Sequence, residues 1–303
     1  MSCDILTVGT FDGVHRGHWA VLEEIARRAA ACGGRSVLVT FEPHPLEVVN
    51  PAAAPQLLTV GDEKRAVLAE SPVDHVVFLP FTPALAALPP ERFVREQLRG
   101  RFDVRELVIG YDHGFGRGRS GDLELLRRIG REDGFAVDVV PAVTVDGHPV
   151  SSTAIRRAVA GGDLVGAARG LGRRYAVTGR VEAGAGRGRG LGVPTANLAP
   201  PPPKKLLPPD GVYAAYVAWG GERHGAMLNL GPRPTFGEAG RKLEAHLFDF
   251  TGDLLGATIT VEFVRRIRDV MRFDSPAALA AQLGRDRAEA RRALTAPDGA
   301  VNL

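Results

Sequence analysis

The chain has 303 residues, 45% hydrophobic and 24% charged, with 38 basic against 35 acidic side chains for a net charge of +3. That length suggests about two domains, and the near-balanced charge, with no dominant basic run, argues against a nucleic-acid partner. No stretch approaches ~18 uninterrupted apolar residues, the N-terminus lacks a basic leader, and two distant cysteines make no disulfide framework, so no membrane partner and a reduced, cytoplasmic setting are expected.

A short apolar run (Ile5, Leu6, Val8) predicts a first strand. It is followed by Gly9-Thr10-Phe11-Asp12-Gly13-Val14-His15-Arg16-Gly17-His18 and a helical pattern over 19–31. A strand that hands over to a helix through a glycine-rich turn aims unpaired N–H groups and the positive helix end at one point, a natural place for phosphate. His15 and His18 stand at its mouth, where two imidazoles can donate to phosphate oxygens. A metal site is the weaker reading, because only Cys3 and Cys32 supply thiols and no second His/Cys cluster completes a tetrahedral set.

Further along, apolar runs at 36–41, 75–79, 106–109 and 136–140 predict strands, with helices over 61–70, 90–98 and 123–132 between them. The alternation predicts an α/β domain with a doubly wound, largely parallel sheet, over residues 1–170. The texture then changes to short alternating strands at 175–181, 211–218, 222–229, 242–250 and 258–265, with Gly220-Gly221 as a hairpin turn. Five or six such strands predict a small closed antiparallel barrel, over residues 175–303. Ser275 and Pro276 open a C-terminal helix carrying Leu279, Leu283 and Leu294.

No Gly-Lys pair and no Gly-x-Gly-x-x-Gly occur, so ATP, if used, is held by other means. Ser151, Ser152 and Thr153 open a helical pattern that carries Arg156, a set suited to phosphate oxygens. Asp112 and Phe115 lie in the glycine-rich stretch after the 106–109 strand, and Phe41-Glu42-Pro43-His44-Pro45 ends the 36–41 strand. In the second half, Arg187 and Arg189 precede Gly192-Val193-Pro194-Thr195-Ala196-Asn197, where Thr195 and Asn197 offer neutral oxygens to Mg²⁺. Alternation sets Glu244 and His246 opposite Leu243, Ala245 and Leu247, a face that is either solvated or, with a hydroxyl substrate, the place for a general base.

In this order, these segments resemble the bacterial bifunctional riboflavin kinase/FMN adenylyltransferase (FAD synthetase) family from end to end. Asp210 to Tyr213, Asn229-Leu-Gly-Pro-Arg-Pro-Thr-Phe-Gly237 and Glu244 to Phe250 complete the landmarks. The opening segment carries the His-x-Gly-His signature of adenylyltransferases. The resemblance implies an N-terminal half that adenylylates FMN to FAD and a C-terminal barrel that phosphorylates riboflavin, both with ATP and Mg²⁺. It implies ATP contacts from Gly9, Thr10, Phe11, Asp12, Gly13, Gly17, Ser151, Ser152, Thr153, Arg156, Arg189, Gly192 and Pro194. Flavin contacts fall on Asp112 and Phe115, metal contacts on Thr195 and Asn197, and catalysis on His15, His18 and Glu244. His113, Arg173 and Val270 depart from the family pattern, the first and last where flavin contacts are expected. A paralogue with one active half and a flavin- or nucleotide-binding regulator are the alternatives. Partners are small molecules; the sequence leaves the oligomeric state, including a homo-oligomer, open.

Overall fold

The computed structural model describes residues 3–111, 121–183, 195–232 and 241–295, and the chain divides into two compact units, residues 1–152 and 153–303. In the first unit, β1 (Asp4–Val8), β2 (Arg35–Glu42), β3 (His75–Pro80), β4 (Val104–Gly110) and β5 (Ala136–Val140) form one parallel sheet in the order β3-β2-β1-β4-β5. β1 is buried throughout, in keeping with its apolar Ile5, Leu6 and Val8, while its buried Asp4 is paired with Arg35. Helix α1 (Arg16–Cys32) packs Val21, Leu22, Ile25 and Ala29 against the sheet and stops at Gly33, whose left-handed backbone (φ 64°) closes the helix.

Short helices α2 (Pro45–Val49), α3 (Asp62–Ala69), α4 (Pro83–Ala86) and α5 (Pro90–Arg92), then α6 (Leu123–Asp133), connect the strands. The single helix predicted over 90–98 is in fact α5 running into a π-helical stretch, Phe93–Arg99. There Phe93, Val94 and Leu98 are buried in the core on one side of the sheet. A two-stranded ribbon, β6 (Thr144–Val145) with β7 (His148–Pro149), was not foreseen because each strand is too short for a periodic signal. The two cysteines also depart from expectation: Cys3 and Cys32 are joined as a disulfide, with Cα atoms 6.8 Å apart. A strand–helix unit returns the end of the helix to the start of its strand, so these distant positions meet.

The second unit begins with α7 (Ser152–Gly161), whose first residue closes the first unit, and α8 (Leu164–Leu171). β8 (Ala176–Glu182), β9 (Ala196–Leu198), β10 (Gly211–Trp219), β11 (Glu222–Pro232), β12 (Arg241–Leu247) and β13 (Thr258–Arg268) close an antiparallel barrel in the order β10-β11-β12-β9-β8-β13. β9 is the sixth strand; three residues long, it lacked an alternation to count. Tyr175, Tyr213, Leu228, Ala245 and Phe263 fill the barrel, with Tyr213 and Phe263 edge to face at 5.2 Å. The helix Pro276–Thr295, capped by Ser275 Oγ accepting from the Ala278 N–H, lays Ala290 and Ala293 on Val212, Ala214 and Met227 outside the barrel. Phe263 is fully buried, so Phe263→Ala is expected to cost about 3–5 kcal/mol, read as a lower urea midpoint by circular dichroism. Among the described residues no helix is long and apolar enough to cross a membrane.

Candidate active sites

In the first unit the sheet order reverses direction at β1, with β2 on one side and β4 on the other. Open parallel sheets bind ligands beyond the carboxyl ends of their strands at such a switch point. Residues 9–18 leave β1 there, and Gly110 ends β4 beside it. The turn is held in an uncommon backbone conformation: Phe11 and Val14 have φ of 47° and 39°, costly for a bulky and a β-branched residue. Gly13 is required, since its φ is 79° and a Cβ would meet Leu58 Cδ1 at 2.6 Å.

Buried side chains and backbone groups enforce this shape. The Asp12 carboxylate accepts the N–H groups of Leu58 (2.9 Å) and Thr59 (3.1 Å), and Thr59 Oγ1 accepts the Gly13 N–H at 3.1 Å. Ser152 Oγ donates to the Asp12 carbonyl at 2.9 Å, tying the last residue of this unit to the opening turn. Lys64 Nζ donates to the Thr10 carbonyl at 2.7 Å. The Asp12 carboxylate thus ties the turn to the 58–59 segment.

His15 caps α1, and the cap is reciprocal. Its Nδ1 accepts the His18 N–H and the His18 Nδ1 accepts the His15 N–H, both at 3.3 Å. Two imidazoles thus replace the usual hydroxyl and carboxyl of a capping box. Each Nδ1 is an acceptor, so in each neutral ring the proton sits on Nε2. The rings stack with centroids 3.6 Å apart and planes 13° from parallel, and Phe11 lies 4.5 Å from the His18 ring. Gly17 permits this, because a Cβ there would reach the His15 ring at 3.2 Å. The first turn of α1 carries no acidic side chain, which leaves its positive end uncompensated.

Ser151 is half-buried in the first unit, and Thr153 and Arg156 lie in the first two turns of α7 in the second. Asp112, His113, Phe115, Arg187, Arg189, Gly192 and Pro194 lie outside the described residues, as does the end of the 229–237 motif.

On the barrel, strand register brings together residues far apart in sequence. Glu244 on β12 stands opposite Asn197 on β9 and Asn229 on β11, and directly opposed residues lie roughly 5 Å apart. The row alternates with the inward Leu243 and Ala245, so it sits on the barrel's outer face. Lys242, two residues before Glu244 on the same face, makes an ion pair with Glu244. Asn229 opens the 229–237 landmark, whereas Lys242 was not singled out from sequence, although the two-residue strand period places it beside Glu244. His246 on that face is buried, its ring 5.7 Å from Phe248, so this end of the face is packed rather than solvated.

Thr195 precedes β9, and its carbonyl accepts from Asn197 Nδ2 at 3.4 Å. A hydroxyl and an amide oxygen are hard, neutral donors, fit for a partly hydrated Mg²⁺ carried on nucleotide phosphates. Among the described residues no group of three His, Cys, Asp or Glu side chains forms a self-sufficient metal site. Arg173 follows the end of α8, and Val270, just past β13, is 46% exposed.

Comparison with known proteins matches residues 2–154 to the FAD synthetase family and residues 171–294 to the riboflavin kinase family. The chain is 40% identical over 294 residues to the bifunctional riboflavin kinase/FMN adenylyltransferase of Pseudomonas fluorescens, covering 97% of this chain and 93% of that one. Its identity to the Escherichia coli K12 enzyme of the same name is 39% over 288 residues, covering 95% and 91%. A crystal structure described as a macrolide-efflux protein from Streptococcus pneumoniae superimposes with a TM-score of 0.86 at 30% identity, covering 96% of this chain and 94% of that one. Sheet, barrel and matches over nearly the whole length agree: the chain belongs to the bifunctional riboflavin kinase/FMN adenylyltransferase family, with an N-terminal FAD synthetase domain and a C-terminal riboflavin kinase domain.

Proposed function

We propose that adenylyl transfer takes place on the 9–18 turn within residues 1–170, and riboflavin phosphorylation on the Glu244 face within residues 175–303. For the first, the supporting observation is the reciprocal His15–His18 pair, which carries the proton of each neutral ring on Nε2. A phosphate oxygen of FMN attacks the α-phosphorus of ATP, the α–β bridging bond breaks and pyrophosphate leaves. The Nε2 protons and the α1 N-terminus stabilise the charge that gathers on the transferring group. Ser151 and Ser152, in the same unit, supply further phosphate contacts.

For the second, the supporting observation is the register that sets Asn197 beside Glu244. Glu244 accepts the proton of the ribityl 5′-hydroxyl as its oxygen attacks the γ-phosphorus of ATP and ADP leaves. Thr195 and Asn197 would hold Mg²⁺, which when bound would neutralise charge on the ATP phosphates. Such positioning is most of what phosphoryl transfer asks of a protein. The cytoplasm, where ATP is supplied, is the proposed setting.

Incubation with riboflavin, ATP and Mg²⁺, with the flavins resolved chromatographically over time, tests the whole reading. FMN is expected first and FAD second. No conversion of either riboflavin or added FMN would overturn it, and loss of one step alone would restrict the chain to one half-reaction.

A further inference from the structure

The chain uses arginine for nearly all of its basic positions, with only four lysines among 38 basic residues. Lys64 is the only lysine in the first 200 residues, and its environment accounts for the choice. From the first turn of α3, its ammonium is carried between the carboxyl ends of β1 and β2. It donates to the Thr10 carbonyl (2.7 Å), Thr40 Oγ1 (2.8 Å) and the Phe41 carbonyl (3.4 Å). Three oxygens converging on one point suit the three protons of a compact ammonium better than the planar fork of a guanidinium. Thr40, fully buried, closes the triangle by donating its own hydroxyl to the Thr10 carbonyl at 3.2 Å.

The acceptor matters because Thr10 O is the carbonyl of the first peptide of the strained turn. A trans peptide sets its N–H antiparallel to its C=O. Drawing the Thr10 carbonyl onto the ammonium therefore turns the Phe11 N–H to the opposite side and fixes the plane from which φ of Phe11 departs. The next residue, Asp12, is held from the same 58–64 segment, its carboxylate accepting from the Leu58 and Thr59 N–H groups. We propose that Lys64 is a positioning residue for adenylyl transfer, its charged ammonium locking the Thr10–Phe11 peptide so that the turn and the stacked His15–His18 pair meet the phosphates preorganised. This rests on the assignment of adenylyl transfer to that turn.

Keeping a charge here works against solvation. Burial pushes the Lys64 ammonium down to about 8, against opposing support from Asp12 in the turn and Glu42 at the end of β2, and with repulsion from Arg65 on its own helix. From β3, the Phe78 ring lies 5.7 Å from Nζ. A lysine whose folded value lies below its unfolded one makes the charged form costly to the fold at neutral pH, a cost shed as pH rises from about 8 toward the ordinary lysine range. The turn, by contrast, needs the charged form. Adenylyl transfer should accordingly fall as pH rises through about 8, while the fold is retained.

The test uses the full chain as wild type, Lys64→Met, Lys64→Arg and His18→Ala, measuring FAD formation from FMN, KM for ATP, the pH profile from 6 to 10, and riboflavin phosphorylation. Lys64→Met is expected to lower kcat for FAD formation at least tenfold, with KM for ATP within threefold and riboflavin phosphorylation within twofold of wild type. Lys64→Arg keeps a charge throughout the range, so its alkaline fall should move up by at least one pH unit. Wild-type FAD formation by Lys64→Met, or one alkaline profile shared by wild type and Lys64→Arg, overturns the proposal. The pH comparison decides even where Lys64→Met does not fold. If His18→Ala also leaves FAD synthesis intact, the site assignment itself has failed; if it abolishes FAD synthesis while the lysine variants behave as wild type, only the role of Lys64 falls.

Discussion

With His18 replaced by alanine, flavin conversion is expected to stop at FMN. Under the proposed assignment the substitution removes one Nε2 donor to the transferring phosphate, and loss of one such donor in a preorganised site lowers kcat roughly 10²–10³-fold. It also removes the acceptor for the His15 N–H and the stacking partner that holds the His15 ring. The second effect lets His15 turn, so the loss should reach the upper end of that range. Riboflavin phosphorylation, assigned to the other unit, should stay within twofold. The measurement is FAD formed from supplied FMN under saturating ATP, alongside FMN formed from riboflavin. FAD synthesis at the wild-type rate would remove His18 from the mechanism, and an equal fall in both activities would point to lost folding instead.

Glu244→Gln is expected to give the mirror image. The amide keeps the size of the side chain opposite Asn197 and Asn229 but accepts no proton from the ribityl hydroxyl. Removing a general base costs about 10²–10⁴-fold, so riboflavin should persist while supplied FMN still becomes FAD. Lys242, which pairs with Glu244, is left facing a neutral amide. Unchanged riboflavin turnover would exclude Glu244 as the base. Taken together, the two variants assign each half-reaction to one unit by opposite losses from a single full-length chain.

Much of this arrangement was legible in the sequence because it is local. The run Ile5, Leu6, Val8, the glycines at 9, 13 and 17, and the helical pattern from Trp19 define a strand, a turn and a helix within one window. The barrel likewise announces itself through alternation in its longer strands. What escaped notice depends on contacts between distant residues. That the Asp12 carboxylate accepts from the backbone of Leu58 and Thr59, 46 and 47 residues away, has no sequence signal. Lys64 gives no sequence signal beyond its rarity, because its three acceptors come from two other strand ends. Asn229 was legible as the start of a family motif, but its place opposite Glu244 comes from register alone. β9 and the β6–β7 ribbon are too short for any periodicity, and Cys3 and Cys32 meet only because α1 folds back along β1.

The reciprocal cap at the start of α1 has a consequence for how this segment can vary. An ordinary helix start rests on one side chain, exchangeable among several residue types at a cost near 1 kcal/mol. At this helix start each histidine supplies the acceptor that the other's backbone requires. Loss of either ring removes one bond outright and takes from the remaining ring the stacking neighbour that orients it for the other. A second substitution then removes a bond that is already weakened. In a double-mutant cycle on unfolding free energy, His15→Ala and His18→Ala should therefore cost less together than the sum of their separate costs. The two positions are thus energetically coupled, and a change at one alters what the other contributes to the helix start.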